Sequence, residues 1–210
     1  MFSITKTFNH PAAICVFLLL SAAPSLAQDA FVAQVGDANR GANLDLTGQS
    51  SSVIAQIGNR NTSVQMTLGG RDNQLASVQV GQSNQNLSMT QGRKNITGTF
   101  QSGRNHVAQA IVLGNFNRVA TLQFGFANAS RVQVDGNHTE TYVTQNGAGL
   151  NSNVALIDGM TARSAAADPL AVRVNQSMGQ DPVNVRIMRD AAGTLMIQPG
   201  TATTVLRLSG

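Results

Sequence analysis

Residues 53 to 61 read Val53-Ile54-Ala55-Gln56-Ile57-Gly58-Asn59-Arg60-Asn61, and residues 76 to 84 read Ala76-Ser77-Val78-Gln79-Val80-Gly81-Gln82-Ser83-Asn84. Each stretch is a run of strand-favouring residues closed by Gln-x-Gly-x-x-Asn. The parts of that motif recur on a beat. Glycine stands at Gly70, Gly81, Gly92, Gly103, Gly114, Gly125, Gly136 and Gly147, an unbroken interval of 11, and Gly36 and Gly58, 22 apart, extend the series upstream. Gln precedes every second glycine by two positions: Gln34, Gln56, Gln79, Gln101, Gln123 and Gln145 step by 22, 23, 22, 22 and 22. Three residues after the glycine the chain places Asn39, Asn61, Asn73, Asn84, Asn95, Asn117 and Asn128, with His106, Thr139 and Leu150 as the exceptions. The unit is therefore about 22 residues long and made of two similar halves.

Gly-x-x-Asn supplies two residue types that tolerate positive φ, which a tight reversal requires. Between reversals lie segments such as Val119-Ala120-Thr121-Leu122-Gln123-Phe124, and these read as strands. Glycine every 11 residues disfavours a helix, at a cost of about 1 kcal/mol per occurrence. Strand, turn, strand, turn at a fixed period predicts an all-β fold, a β-solenoid whose coils contribute two strands each and stack ~4.8 Å apart. From Phe31 to Gly159 there is length for about six coils. A Gln or Asn repeated at one place in every coil can bond its amide to the identical amide above and below. Gln34, Gln56, Gln79, Gln101, Gln123 and Gln145, with Asn39, Asn61, Asn84 and Asn128, are the expected ladder residues. Two sets compete for the interior. The register one residue from Gln is the more apolar (Val53, Ala55, Ile57; Ala76, Val78, Val80; Ala120, Leu122, Phe124), and hydrophobic burial favours that set inside and Gln outside.

Composition fits a ladder. The 210-residue chain has 19 Asn and 18 Gln against 14 Lys and Arg and 10 Asp and Glu, so amides outnumber charges, and stacked charges would repel. One Cys and no Trp exclude a disulfide scaffold and a cysteine-ligated metal module. A net charge of +4 is too thin for a nucleic-acid binder built on a basic patch. The acids Asp37, Asp45, Asp72, Asp135, Glu140 and Asp158 are scattered singly, and His106 and His138 read as solvated turn residues. No catalytic, cofactor or metal site is expected, and the protein reads as a non-enzyme. Arg71, Arg93 and Lys94 fall on equivalent turns of neighbouring coils and read as solvated charges that discourage lateral association.

Residues 1–27 run from Lys6 and His10 through the apolar stretch Ala12 to Leu20 and on to Ser25-Leu26-Ala27, the pattern of a secretory signal peptide cleaved after Ala27. The only cysteine, Cys15, would leave with it, and nothing downstream is apolar for long enough to cross a membrane as a helix. Residues 28–159 form the repeat region. In residues 160–210 the beat stops: Thr161 to Pro169 reads as a small-residue linker, and Leu170 to Val174, Val183 to Met188, Leu195 to Gln198 and Thr204 to Leu208 read as short strands. The middle two form a hairpin through Arg189-Asp190-Ala191-Ala192-Gly193. This tail is expected to be a cap over the last coil or a docking segment.

The hexapeptides at Gln34 to Asn39, Gln56 to Asn61, Gln79 to Asn84 and Gln123 to Asn128 match Gln-x-Gly-x-x-Asn in full, and Gln101-Ser102-Gly103 and Gln145-Asn146-Gly147 match its start. The pattern resembles the curlin repeat of curli subunits, which build bacterial extracellular amyloid fibres. It departs from that repeat at the family's second Gln, where this chain has Asp45, Thr67, Thr90, Val112, Val134 and Leu156. The resemblance implies a fibre subunit at the cell surface, a minor or nucleating one given the departures, serving adhesion and biofilm. It implies self or other curlin-like subunits and an outer-membrane secretion pore as partners, with Gln and Asn inside the solenoid. The alternative from the residues alone is a capped, secreted solenoid that binds a polysaccharide or a surface.

Overall fold

The computed structural model describes residues 4–8, 30–46, 49–158, 170–177, 179, 181–189 and 195–199. Most of the leader, the linker Thr161 to Pro169 and the strand expected at Thr204 to Leu208 lie outside these. The described residues form strands and bends and no helix. Strands β2 (Ala30–Val35) and β3 (Arg40–Asp45) make the first coil; β4 (Ser51–Asn59) and β5 (Thr62–Arg71) make the second. β6 (Gln74–Gln82) with β7 (Gln85–Arg93), β8 (Ile96–Arg104) with β9 (Val107–Asn115), β10 (Arg118–Phe126) with β11 (Ala129–Asn137), and β12 (Thr139–Ala148) with β13 (Asn151–Asp158) make four more. Even-numbered strands stack parallel in one sheet and odd-numbered strands in the other, so each coil adds one strand to both. This is the expected β-solenoid of six coils.

The register is that of the sequence repeat. Gln56 pairs with Gln79, Gln79 with Gln101, Gln101 with Gln123 and Gln123 with Gln145. The single 23-residue step is absorbed locally: β5 and β7 pair Thr67 with Thr90 but Gly69 with Gln91, and Leu68 is the extra residue of a β-bulge. Bulging the outward Leu68 keeps every inward residue on its own face.

The solenoid also runs beyond Gly159. β14 (Leu170–Ser177) and β15 (Val183–Arg189) pair parallel onto β12 and β13 and form a seventh coil. The tail is β-rich as expected, yet its first two strands are core, because Leu170, Val172, Val174, Val183, Val185 and Ile187 are all buried. β16 (Leu195–Pro199) then turns back antiparallel on β15, the hairpin read from Arg189 to Gly193. At the other end, β1 (Ile4–Phe8), the one described piece of the leader, lies parallel against β2.

The interior changes character along the axis. Ser52, Ser63, Gln65, Ser77, Asn86, Ser88, Thr90, Thr97 and Thr99 fill the second to fourth coils. From Ala110 and Val112 onward a continuous apolar cluster runs through Val119, Val132, Val134, Val143, Val154 and Leu156 to Ile187. Each Val, Leu or Ile of the cluster contributes about 1.5–3 kcal/mol on burial, so the C-terminal coils have a continuous hydrophobic core where the second and third coils bury Ile54, Ala55 and Leu75 among polar side chains.

The expectation that reversals place Gly and Asn at positive φ holds for the glycine alone. Gly36, Gly58, Gly81, Gly103 and Gly125 at one edge and Gly70, Gly92 and Gly114 at the other have φ between +92° and +133°. Gly147 lies beyond that range at +154°, and Gly136 keeps ordinary backbone. The second left-handed residue is the one two positions after the glycine, as at Arg60, Ser83, Lys94 and Asn105, each near +57°. Its N–H bonds to the preceding coil, as Asn105 does to Gln82 O at 3.0 Å.

A Cβ on Gly81 would stand 1.9 Å from the Gly103 carbonyl oxygen, whereas one on Gly98 meets nothing closer than 4.0 Å. Gly81→Ala should therefore cost about 3 kcal/mol or more, and Gly98→Ala less than about 1 kcal/mol. Denaturant midpoints of the two variants check this; equal shifts would show that the glycine column is not closely packed.

Candidate functional site: amide ladders and coil ends

The Gln column lies inside. Gln56, Gln79, Gln101, Gln123 and Gln145 are at most 1% exposed, which corrects the expectation that apolar burial would turn them out. Two facts explain the choice. Each Gln Nε2 has two protons, and both are bonded: one to the next Gln, one across the interior to the other sheet. Gln79 donates to Gln101 Oε1 at 2.7 Å and to Thr62 O at 3.0 Å; Gln101 donates to Gln123 Oε1 at 2.8 Å and to Gln85 O at 2.9 Å. Thr62 and Gln85 are the first residues of β5 and β7, so each Gln ties the two sheets together. The displaced apolar set sits outside, where Val53, Ile57, Val78, Val80, Phe100, Leu122 and Phe124 shield one another along columns and are only partly exposed. Phe100 and Phe124 rings lie 5.5 Å apart.

The Asn columns are also buried, at both edges. Asn61 Oδ1 accepts the N–H of Asn84 at 3.1 Å, and Asn61 Nδ2 donates to Gly81 O at 3.0 Å. Asn84 repeats this with His106 N–H and Gly103 O, and Asn128 with Leu150 N–H and Gly147 O. At the opposite edge Asn73, Asn95 and Asn117 do the same with Gly92, Gly114 and Gly136. The glycine and the Asn three residues later thus belong to one device: the bare Gly58 leaves room for the Gly81 carbonyl of the next coil, which Asn61 then bonds. Asn39, in the first coil, reaches Gly58 O at 2.6 Å while remaining half-buried.

His106 occupies an Asn position and is fully buried, not a solvated turn residue. It copies the amide. Its Nδ1 accepts Asn128 N–H at 3.3 Å, as Asn Oδ1 does, and its Nε2–H donates to Ser102 O at 3.1 Å, as Asn Nδ2 does. Only the neutral ring offers both an acceptor and a donor. His138, by contrast, is exposed and stacks at 4.7 Å on Phe116, whose ring Lys94 approaches to 5.6 Å. Arg71 pairs with Arg93 in register on that same edge, as expected.

The ladder has a direction and two unlike ends. Gln34 donates to Gln56, and no described residue donates to Gln34 Oε1. At the far end Gln145 donates to Gln176 at 2.8 Å, a ladder member that the 22-residue beat does not reveal because 31 residues separate the two. Gln176 spends its remaining proton on Asp181 O at 3.2 Å. Where the glycine column stops, Asp158 follows Gly136, and its carboxylate receives Arg189 Nε at 3.0 Å in a buried pair. Among the described residues no group of three or more His, Cys, Asp or Glu is placed to hold a metal ion.

Comparison with protein-family models, with curated proteins and with solved structures finds no match. The similarity to curlin repeats rests on the motif residues themselves.

Desolvation lowers the His106 pKa from its ordinary 6.5. The unfolded chain then binds a proton before the folded chain does, so stability falls as pH drops through about 6.5. The wild-type denaturant midpoint should decrease between pH 7.5 and 5.5, and His106→Asn should remove that part of the decrease while keeping the column intact. An unchanged pH profile in His106→Asn would contradict the buried neutral ring.

Proposed function

We propose that this chain is a secreted, curlin-like structural subunit that enters or nucleates an extracellular amyloid-type fibre. The observation that carries the reading is the in-register amide ladder running from Gln34 to Gln176, built from strands stacked parallel in two sheets. A ladder of this kind extends by adding one more identical coil, since the new coil completes the bonds of the last one. Secretion, adhesion and biofilm matrix follow from the leader pattern and the curlin resemblance. The scarcity of charge and the absence of proline between residues 31 and 159 leave few obstacles to such growth.

One observation favours the second reading, a capped binding module: β16 covers the outer edge of β15. Seeding separates the two. Mature protein added at about one-hundredth molar ratio to a soluble curlin-type subunit should shorten the lag before thioflavin fluorescence rises and should be found in the sedimented fibres. A lag unchanged at every ratio, with the protein left in the supernatant, would contradict the fibre reading and leave the binding module.

A further inference from the structure

The two ends of the solenoid offer different surfaces to an incoming strand. At the N-terminal end, β2 already holds a parallel strand on its outer edge, with Ile4 opposite Phe31 through to Phe8 opposite Val35. That is the direction in which β4 pairs on the inner side of β2, with Gln34 opposite Gln56. The edge therefore takes a parallel strand in register, and the strand now on it belongs to the segment read as a leader. Beside it, β3 ends its sheet among the described residues, and Gln34 Oε1 faces the position of a preceding Gln.

The C-terminal end is closed on one side. β16 runs antiparallel along β15, pairing Val185 with Pro199 through to Arg189 with Leu195. The Gln176 proton that earlier coils hand to the next Gln goes instead to Asp181 O. β14 has no strand beyond it among the described residues, but a coil adds to both sheets at once, so a block on β15 blocks the whole end.

We propose that assembly by this chain is one-sided: once the leader is gone, β2 and β3 receive the C-terminal end of another two-strand solenoid subunit, and β16 bars that contact at this chain's own C-terminus. The inference rests on the fibre reading and deepens it. The partner is a coil with Gln and Asn at the same spacing and no antiparallel strand on its last coil. Its last Gln donates to Gln34 Oε1, and its last Asn accepts the N–H of Asn39 and donates to the Gly36 carbonyl. A chain so built terminates or starts a fibre and does not elongate by itself.

The test uses the full mature chain and two variants, Met196→Pro and Ile197→Pro. Neighbouring residues of a strand point their N–H groups to opposite sides, so one of the two substitutions removes a bond to β15. Far-UV circular dichroism reports the solenoid, and a cross-linked control, Arg186→Cys with Gln198→Cys across the β15–β16 pair, holds β16 in place under oxidising conditions. The wild-type and the cross-linked protein should stay monomeric, and at least one proline variant should elongate at least tenfold faster by thioflavin fluorescence. Wild-type protein added to the growing variant at a substoichiometric ratio should stop it early and shorten the fibres. Equal elongation by wild-type and both variants would overturn the one-sided ends and leave the fibre reading standing. Failure of all of them to elongate, together with failure to seed a curlin-type subunit, would overturn both.

Discussion

A side-chain amide buried where water cannot reach must find partners, and in this protein the repeated Gln and Asn find them in the neighbouring coils. That constraint shapes the rest of the structure. Gln79 can satisfy both protons only if Gln101 stands directly above it and the Thr62 carbonyl faces it across the interior. A net hydrogen bond contributes about 1 kcal/mol, but an unpaired buried amide costs about 1–3 kcal/mol, so a slip in register is penalised at every coil at once. The glycines follow from the same requirement, because the Asn amides need a bare carbonyl within reach.

The ladder does not act alone. In the N-terminal coils the space around it is filled by hydroxyls and further amides, and the pairing is close but incomplete: Ser77 and Thr99 there, like Thr141 in the sixth coil, hold buried oxygens without a partner among the described residues. In the C-terminal coils Val132, Val154, Val185 and their neighbours add hydrophobic burial. Stability is therefore concentrated toward the closed end. The end that offers a parallel edge and an unfilled acceptor is also the end held mainly by hydrogen bonds, which is the kind of surface that a further coil would reinforce.

The repeat, the strand character and the six coils of the repeat region were legible because a solenoid writes its period directly into the sequence. Which face turned inward was not, since Val53 or Ile57 and Gln56 compete and area alone favours the wrong set. The decision is made by Gln reaching the carbonyl of the opposite sheet, a contact between residues such as Gln56 and Arg40 that no local pattern exposes. Gln176 was hidden by an interval nine residues longer than the repeat, 31 against 22, and the apolar alternation from Leu170 to Val174 was its only trace. His106 was misread from its usual chemistry, although its place three residues after Gly103 already put it in the Asn column.

Exchange of the Gln side-chain amide protons tests the ladder most directly. In protein labelled with nitrogen-15 on Gln side chains, the Nε2 protons of Gln79, Gln101 and Gln123 should persist in deuterated buffer for hours, while those of outward Gln74 and Gln85 exchange at once. Loss of all five signals at the rate of free glutamine would show that the amides face water, and the account of the fold as a stack held by buried amides would be wrong.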